Sequence, residues 1–331
     1  MTSEGVPAGR ALASFLHVLL GSTASGKEAA AVAAAPLLGA EILCADSVKP
    51  YRGLAIAAAA PPPEALARVP HHLVGALDPS ERLDVRRWCE MVDAAVADIR
   101  SRGAVPLLVG GTALYLRSYL FGLFDGPPAD PALRERLTAD EAARPGTLHA
   151  LLAERDPATA ARLHPNDTKR LLRALEVHEK TGRSISEQQT QWAGAPRVPY
   201  VAVGLRRTRE DLRRRIDLRI DRMVTAGLLE EVRALAAPGR LSATAAEAIG
   251  VKEVLAVARR EIETGRTDDA ARDAAIAEIR RNTWTFSRRQ ATWWRRFPGV
   301  RWLDVPANET PETTGHRVAS HFGEAIASNG A

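Results

Sequence analysis

The chain is expected to fold as an α/β protein: a parallel sheet flanked by helices, with an all-helical insertion. Three observations predict this. A short apolar run at 15–20 leads directly into Gly21-Ser22-Thr23-Ala24-Ser25-Gly26-Lys27 and then into an alanine-rich, helix-forming stretch. Further strand signals at 41–44 and 105–109 alternate with helical stretches such as 85–102, as strand–helix–strand units require. Between these and another strand signal at 200–205, residues 130–191 carry helical periodicity and no convincing strand.

Each element has its own justification. Residues 1–13 read as a loose leader. Residues 11–20, following Arg10, have the look of a short secretory segment, but they must form the strand that feeds the glycine-rich loop. The loop has the spacing G-x-x-x-x-G-K, which lines an anion with backbone N–H groups, aims a helix N-terminus at it and adds the point charge of Lys27. Gly21, Ser22, Thr23, Ala24, Ser25, Gly26 and Lys27 are therefore the expected phosphate- or diphosphate-binding residues. The next position ordinarily carries a Ser or Thr hydroxyl that ligates Mg²⁺. Here it is Glu28, a carboxylate able either to ligate the metal or to repel a phosphate.

The second strand ends in Asp46-Ser47, where α/β sheets place their ligands. Asp46 fits three roles: a Mg²⁺ ligand, a general base or a simple cap. The third ends Val109-Gly110-Gly111-Thr112, where two glycines allow close backbone approach and Thr112 offers a hydroxyl at a helix start. A tight strand-to-helix turn is the plainer account. His71 and His72 are adjacent, so their side chains point apart and chelate poorly.

In the middle block, breaks fall at Pro145-Gly146, Asp156-Pro157 and Pro165-Asn166. Asp167 as N-cap and Gly182 just past the end bracket a helix containing Leu171, Leu172, Leu175 and Val177. Lys169, Arg170 and Arg173 form a basic cluster there, or an ordinary solvated face. Long charged helices follow at 208–235 and 267–296, and a last strand at 300–303. The segment 280–297, RRNTWTFSRRQATWWRRF, places Arg281, Arg288 and Arg295 seven apart on one helix face, with Arg289 and Arg296 beside them. Such a stripe tracks phosphates, or solvates a face whose other side buries Trp284 and Trp293.

Composition sets bounds. At 331 residues with 46% hydrophobic content, the chain builds one large or two smaller domains and fits no disordered class. No apolar run approaches the ~20 residues that span a bilayer. The net charge of +5, with arginines clustered in the C-terminal third, points to an anionic partner. Cys44 and Cys89 match no metal or redox spacing, as in a reduced cytosolic setting.

Taken together, an ordered series of motifs resembles the tRNA dimethylallyltransferase family over about residues 16–303. The series comprises the loop; Asp46-Ser47 with Tyr51-Arg52-Gly53-Leu54; Val69-Pro70-His71-His72-Leu73 with Asp78-Pro79; and Pro106 to Thr112 with Leu114-Tyr115. It continues through Ala129-Asp130-Pro131 with Arg134, then His164-Pro165-Asn166-Asp167 with Arg170 and Arg173-Ala174-Leu175-Glu176-Val177. It ends on Arg289-Gln290 with Thr292-Trp293.

The resemblance implies a P-loop-type core at 14–128 and 200–304, a tRNA-gripping helical insertion at 129–199, and termini at 1–13 and 305–331. It implies attack of the exocyclic N6 of an anticodon-adjacent adenine, position 37, on dimethylallyl diphosphate. Asp46, Thr112 and Lys27 would be catalytic, and the loop with Glu28 and Arg219 would hold diphosphate; Arg215 shares the arginine-bearing helix. Contacts to tRNA would come from Asp46, Ser47, Val48, Lys49, Thr112, Arg134, Lys169, Arg170, Arg173, Arg288, Arg289, Gln290 and Arg295. Mg²⁺ is the implied cofactor, with Glu28 its candidate ligand. The implied partners are tRNA and dimethylallyl diphosphate, with no membrane, and the chain is expected to be a cytoplasmic monomer.

The chain departs from the family pattern at several points. Lys49 stands where Asp-Ser-x-Gln-x-Tyr has glutamine, Ile56-Ala57-Ala58-Ala59-Ala60-Pro61 replaces Ile-Gly-Thr-Ala-Lys-Pro, and Ile249-Gly250-Val251-Lys252-Glu253 replaces Val-Gly-Tyr-x-[Glu/Gln]. Two other functions fit parts of the sequence: a tRNA-binding relative with weakened or lost catalysis, and a P-loop small-molecule kinase that binds ATP with Asp46 on Mg²⁺.

Overall fold

Six parallel strands form one sheet in the order β3-β2-β4-β1-β5-β6 in the computed structural model, which describes residues 15–189, 192 and 194–329. The leader expected at 1–13 lies outside the described residues. In chain order, β1 (Leu16–Gly21) is followed by α1 (Lys27–Leu38), β2 (Ala40–Ala45), α2 (Pro63–Arg68) and β3 (His71–His72). Next come α3 (Val85–Ser101), β4 (Val105–Gly110) and α4 (Ala113–Phe121). Five helices intervene: α5 (Pro131–Ala143), α6 (Thr147–Arg155), α7 (Pro157–Ala160), α8 (Thr168–Thr181) and α9 (Ile185–Gln188). The sheet resumes with β5 (Tyr200–Arg206), then α10 (Arg209–Thr225), α11 (Leu228–Ala234), α12 (Ala243–Ala246), α13 (Val251–Thr264) and α14 (Asp269–Trp294). It closes with β6 (Val300–Asp304) and α15 (Pro311–Asn329).

The chain divides into two compact units, one of residues up to Leu120 with Val198 onward, the other Phe121–Arg197. In the first, β1 lies between β4 and β5 and every one of its residues is buried. A central parallel strand covered on both faces reads as a nearly continuous apolar run, here interrupted only by His17, which explains the strength of its sequence signal. The alanines of α1 (Ala30, Ala31, Ala34, Ala35) let that helix lie flat against β-strand residues Leu19, Val109 and Val203.

The segment 305–331, expected only as a terminus, carries a long helix. In α15, Val318, Phe322, Ala325 and Ile326 recur at helical spacing and join the same core cluster. At Gly315 a Cβ would stand 2.5 Å from the Cβ of Ala33, so the two helices approach at backbone distance. Phe322 packs against the buried ring of His17 at 4.8 Å, and burial pushes that imidazole down to about 4, keeping it neutral. The pair β3, only two residues long, was also unannounced by periodicity. The expected helix 208–235 is instead broken at Gly227, whose φ of 96° starts α11.

The second unit has its own core, with Leu137, Leu148, Leu152, Leu171, Leu175 and Val177 at its centre. Asp167 caps α8 by accepting from the Arg170 amide, and Gly182 ends it at φ 68°. Glu176 is completely buried. Its oxygens accept from Arg134 Nε at 2.9 Å and Nη2 at 2.8 Å, from Arg173 Nη1 at 2.6 Å and from the Asp130 amide at 2.7 Å.

Burial alone would raise the Glu176 carboxyl, but those donors win and bring it from 4.5 to about 2. A depressed carboxylate contributes stability above its unfolded value and loses it as pH falls through the folded value. Acid unfolding followed by circular dichroism should therefore show stability falling as pH drops from 4.5 to about 2. Glu176→Gln should be weaker at neutral pH yet lose less over that interval; an identical acid slope would contradict the assignment.

Candidate active site at the carboxyl ends of β1, β2 and β4

Register builds this site. Gly110 pairs with Leu20 on one side and with Ala45 on the other, so β1, β4 and β2 finish level with one another. The loops that follow are consequently neighbours: 21–27 after β1, 46–49 after β2 and 111–112 after β4. Close approach demands glycine at the middle strand, because a Cβ on Gly110 would lie 2.1 Å from the Ala45 carbonyl oxygen. Open α/β sheets bind ligands at such carboxyl ends.

The glycine-rich loop turns through positive φ at Ala24 (63°) and Gly26 (92°), and α1 starts at Lys27 with no side-chain cap. Its first amides are thus left for an anion. Three arginines and a glutamine hold the loop from outside. Arg207 Nε donates to the Ser25 carbonyl at 2.7 Å, Arg215 Nε to the Ala24 carbonyl at 2.8 Å, and Arg219 Nη1 to Thr23 Oγ1 at 3.2 Å. Gln290, 5% exposed, accepts from the Thr23 amide at 2.7 Å and donates to the Gly111 carbonyl at 2.8 Å. It therefore ties the loop after β1 to the loop after β4.

Charge is concentrated here. Burial pushes the Lys27 ammonium down to about 8, helped by Lys49 and Arg219 and opposed by Glu28 and Asp46. Lys27 Nζ donates to the Ser22 carbonyl at 3.4 Å. Burial also lowers Arg219, against the pull of Asp46 and Glu28. Asp46 is half-buried, and its Oδ1 accepts from the amides of Val48 at 2.8 Å and Lys49 at 3.2 Å. Among the described residues its Oδ2 receives no hydrogen bond.

The Glu28 carboxylate, with 36% of its side chain exposed, meets Lys49 Nζ at 2.8 Å. Burial works against charge on both, yet their mutual attraction dominates: Glu28 is lowered and Lys49 raised.

The residues present do not fit the usual P-loop magnesium arrangement. The hydroxyl after Lys27 is missing, and the carboxylate that replaces it is engaged with an ammonium. Among the described residues no three His, Cys, Asp or Glu side chains gather as a metal-binding group. His72 bonds to Glu41 at 2.7 Å and His71 to the Val69 carbonyl at 2.8 Å, so neither is poised for a metal.

The other expected residues sort by location. Ser47 and Val48 are partly exposed in the loop after β2, and Thr112 is partly exposed beside the Ala45 carbonyl. Arg288 and Arg289 on α14, and Arg295 just beyond it, are exposed with no carboxylate partner among the described residues, next to Phe286 at 40% exposure. Trp294 and Phe297 are the buried aromatics of this segment, whereas Trp284 and Trp293, expected buried, are partly exposed, Trp284 beneath Arg213. In the second unit Lys169 and Arg170 are exposed, Arg170 pairing with Asp167. Arg134, expected as a tRNA contact, gives Nε and Nη2 to Glu176 as a clamp between α5 and α8. Arg173 shares that carboxylate. Arg207 escaped the sequence reading, although a basic residue directly after the strand beside β1 was a usable signal.

A parallel sheet, an uncapped glycine-rich loop, a ring of arginines and one available carboxylate define a protein of the P-loop-type α/β class, with its candidate site at the carboxyl ends of the strands. Comparison with known proteins narrows the class. Residues 49–297 match the family model for IPP transferase. The tRNA dimethylallyltransferase of Symbiobacterium thermophilum is 43% identical over 296 residues, covering 89% of this chain and 90% of that protein. That of Anaeromyxobacter dehalogenans is 43% identical, covering 92% and 98%. The full-length tRNA isopentenylpyrophosphate transferase of Bacillus halodurans superposes with a TM-score of 0.65 at 31% identity, covering 96% of this chain and all of that one. A eukaryotic dimethylallyltransferase acting on tRNA gives 0.73 at 26% identity, covering 96% and 80%. The chain belongs to the IPP transferase family.

Gln290→Ala should leave the Thr23 amide and the Gly111 carbonyl without partners, at about 1–3 kcal/mol for each buried group. Urea unfolding measures the loss, and calorimetry with inorganic diphosphate should show weaker binding. An unchanged midpoint and affinity would remove the bridge from the account.

Proposed function

We propose that the protein transfers a dimethylallyl group from dimethylallyl diphosphate to N6 of the adenine at position 37 of tRNA. The observation that carries this is the register of β2, β4 and β1, which sets Asp46 beside the anion loop of Lys27. In the proposed step the N6 lone pair attacks the allylic carbon, the bond from that carbon to diphosphate breaks, and the N6 proton passes to Asp46. Loop amides, Lys27 and Arg219 stabilise the charge that grows on the departing diphosphate. Thr112 orients the substrate at the helix start after β4. An exocyclic amine is barely basic, so its proton becomes acidic only as the new bond forms, which is when a carboxylate helps.

The adenine must leave its stack, at a cost of about a few kcal/mol. Stacking on aromatic or guanidinium planes, at about 1–3 kcal/mol per base, offsets this. The exposed arginines around α14 suit the RNA backbone, and Lys169 and Arg170 form a separate basic surface on the second unit. Among the described residues no helix is long and apolar enough to cross a membrane. Action as a monomer in the cytoplasm belongs to this proposal.

Incubated with labelled dimethylallyl diphosphate and a tRNA bearing adenine beside its anticodon, the protein should label that base; well-folded protein giving no label would overturn the proposal. Asp46→Asn should lower turnover by about 10²–10⁴-fold with tRNA affinity unchanged. Equal losses in both would contradict the proton-acceptor role.

Replacing Arg288 and Arg295 by glutamine should flatten the dependence of tRNA affinity on salt by roughly one unit of slope per phosphate contact removed. Filter binding across a salt series reads this directly. An unchanged slope would move the RNA path off α14.

A further inference from the structure

Two residues at which this chain leaves the family pattern turn out to be partners. Glu28 takes the place of the hydroxyl after the loop lysine, and Lys49 takes the place of a glutamine in the loop after β2. Twenty-one positions separate them in sequence, yet Oε1 of one meets Nζ of the other at 2.8 Å. Position 28 therefore still binds a cation, but that cation is an ammonium supplied by the chain.

We infer that Lys49, anchored by Glu28, is a diphosphate-binding residue that takes over the charge-neutralising work of the divalent cation in this active site. The inference rests on the proposed function above for the identity of the diphosphate substrate.

The placement supports it. Lys49 is 4% exposed and follows the Asp46 turn, whose carboxylate accepts from its amide. Its charge acts on Lys27, and Glu28 lies within the fields of Lys27, Lys49 and Arg219 together. Lys27, Lys49 and Arg219 thus act together on the Glu28 and Asp46 carboxylates, which leaves the cluster net positive without a metal. A buried lysine without a second role would cost several kcal/mol of desolvation that an apolar residue avoids. An ammonium also carries three donors, of which Glu28 takes one, leaving others for phosphate oxygens.

Glutamine at position 49 could read an adenine edge by accepting as well as donating; lysine only donates. The exchange therefore moves position 49 from base recognition to anion recognition.

The test uses inorganic diphosphate as probe, with calorimetry on the full-length protein in EDTA and again with Mg²⁺ at matched free diphosphate. The native protein should bind in EDTA within about threefold of its affinity with Mg²⁺. Lys49→Met should lose about tenfold or more in EDTA, the size of one charged hydrogen bond. That variant leaves Glu28 unpaired, so Glu28→Gln/Lys49→Met, which removes both charges, is measured beside it, with circular dichroism confirming the fold. The double variant should show the same loss. Glu28→Thr with Lys49→Gln should bind at least about tenfold tighter with Mg²⁺ than without it.

Native protein that binds diphosphate only with Mg²⁺, or a folded variant lacking Lys49 that binds as well as native in EDTA, would overturn the inference. Dimethylallyl transfer is scored separately. Transfer with metal-dependent diphosphate binding sinks only the role of Lys49, whereas Lys49-dependent binding without transfer to tRNA sinks only the proposed function.

Discussion

The level finish of three parallel strands is the constraint on which the site depends. β4 lies between β2 and β1, and its Gly110 is opposite Ala45 on one side and Leu20 on the other. A slip of one residue in the pairing with β2 would move Gly110 away from Ala45 and bring a residue with a Cβ to the place where only glycine fits. The carboxylate of Asp46 and the anion loop are thereby held side by side by hydrogen-bonded backbone rather than by mobile side chains. Gly110 permits the approach, since any Cβ there would collide with the carbonyl of Ala45.

Around that frame, the first unit spends its polar side chains on fixing the loop before any ligand arrives. Arg207, Arg215 and Arg219 each hold a different loop residue, and Gln290 bridges the loop to Gly111. One helix, α14, thus does two jobs at adjacent positions: Ser287 and Gln290 face inward, while Arg288 and Arg289 face solvent. Preorganised donors of this kind stabilise developing charge without rearranging during the reaction. The exchange of a metal-binding hydroxyl for the Glu28–Lys49 pair follows the same logic, with the cation built into the chain.

What was legible in the sequence was local. The loop announced itself by spacing, β1, β2 and β4 by short, largely apolar strand signals, and α8 by its Asp167 cap and Gly182 stop. The partnership of Glu28 with Lys49 and the bridge from Gln290 to Thr23 were not legible, because each joins distant segments that only the sheet brings together. At Arg134 the family motif suggested substrate contact, and the structure adds what the motif did not show, a pairing with the buried carboxylate of Glu176. The helix α15 was overlooked although its sequence carries the signal, a proline at the first turn followed by Val318, Phe322 and Ile326 at helical spacing.

The most direct test is a crystal structure of the protein with tRNA and an unreactive analogue of dimethylallyl diphosphate. The account predicts diphosphate on the loop amides beside Lys27, and the N6 atom of the extruded adenine within about 2.6–3.2 Å of an Asp46 carboxylate oxygen, directly or through one water. An adenine seated elsewhere, or an Asp46 carboxylate facing away from N6 in that complex, would contradict it.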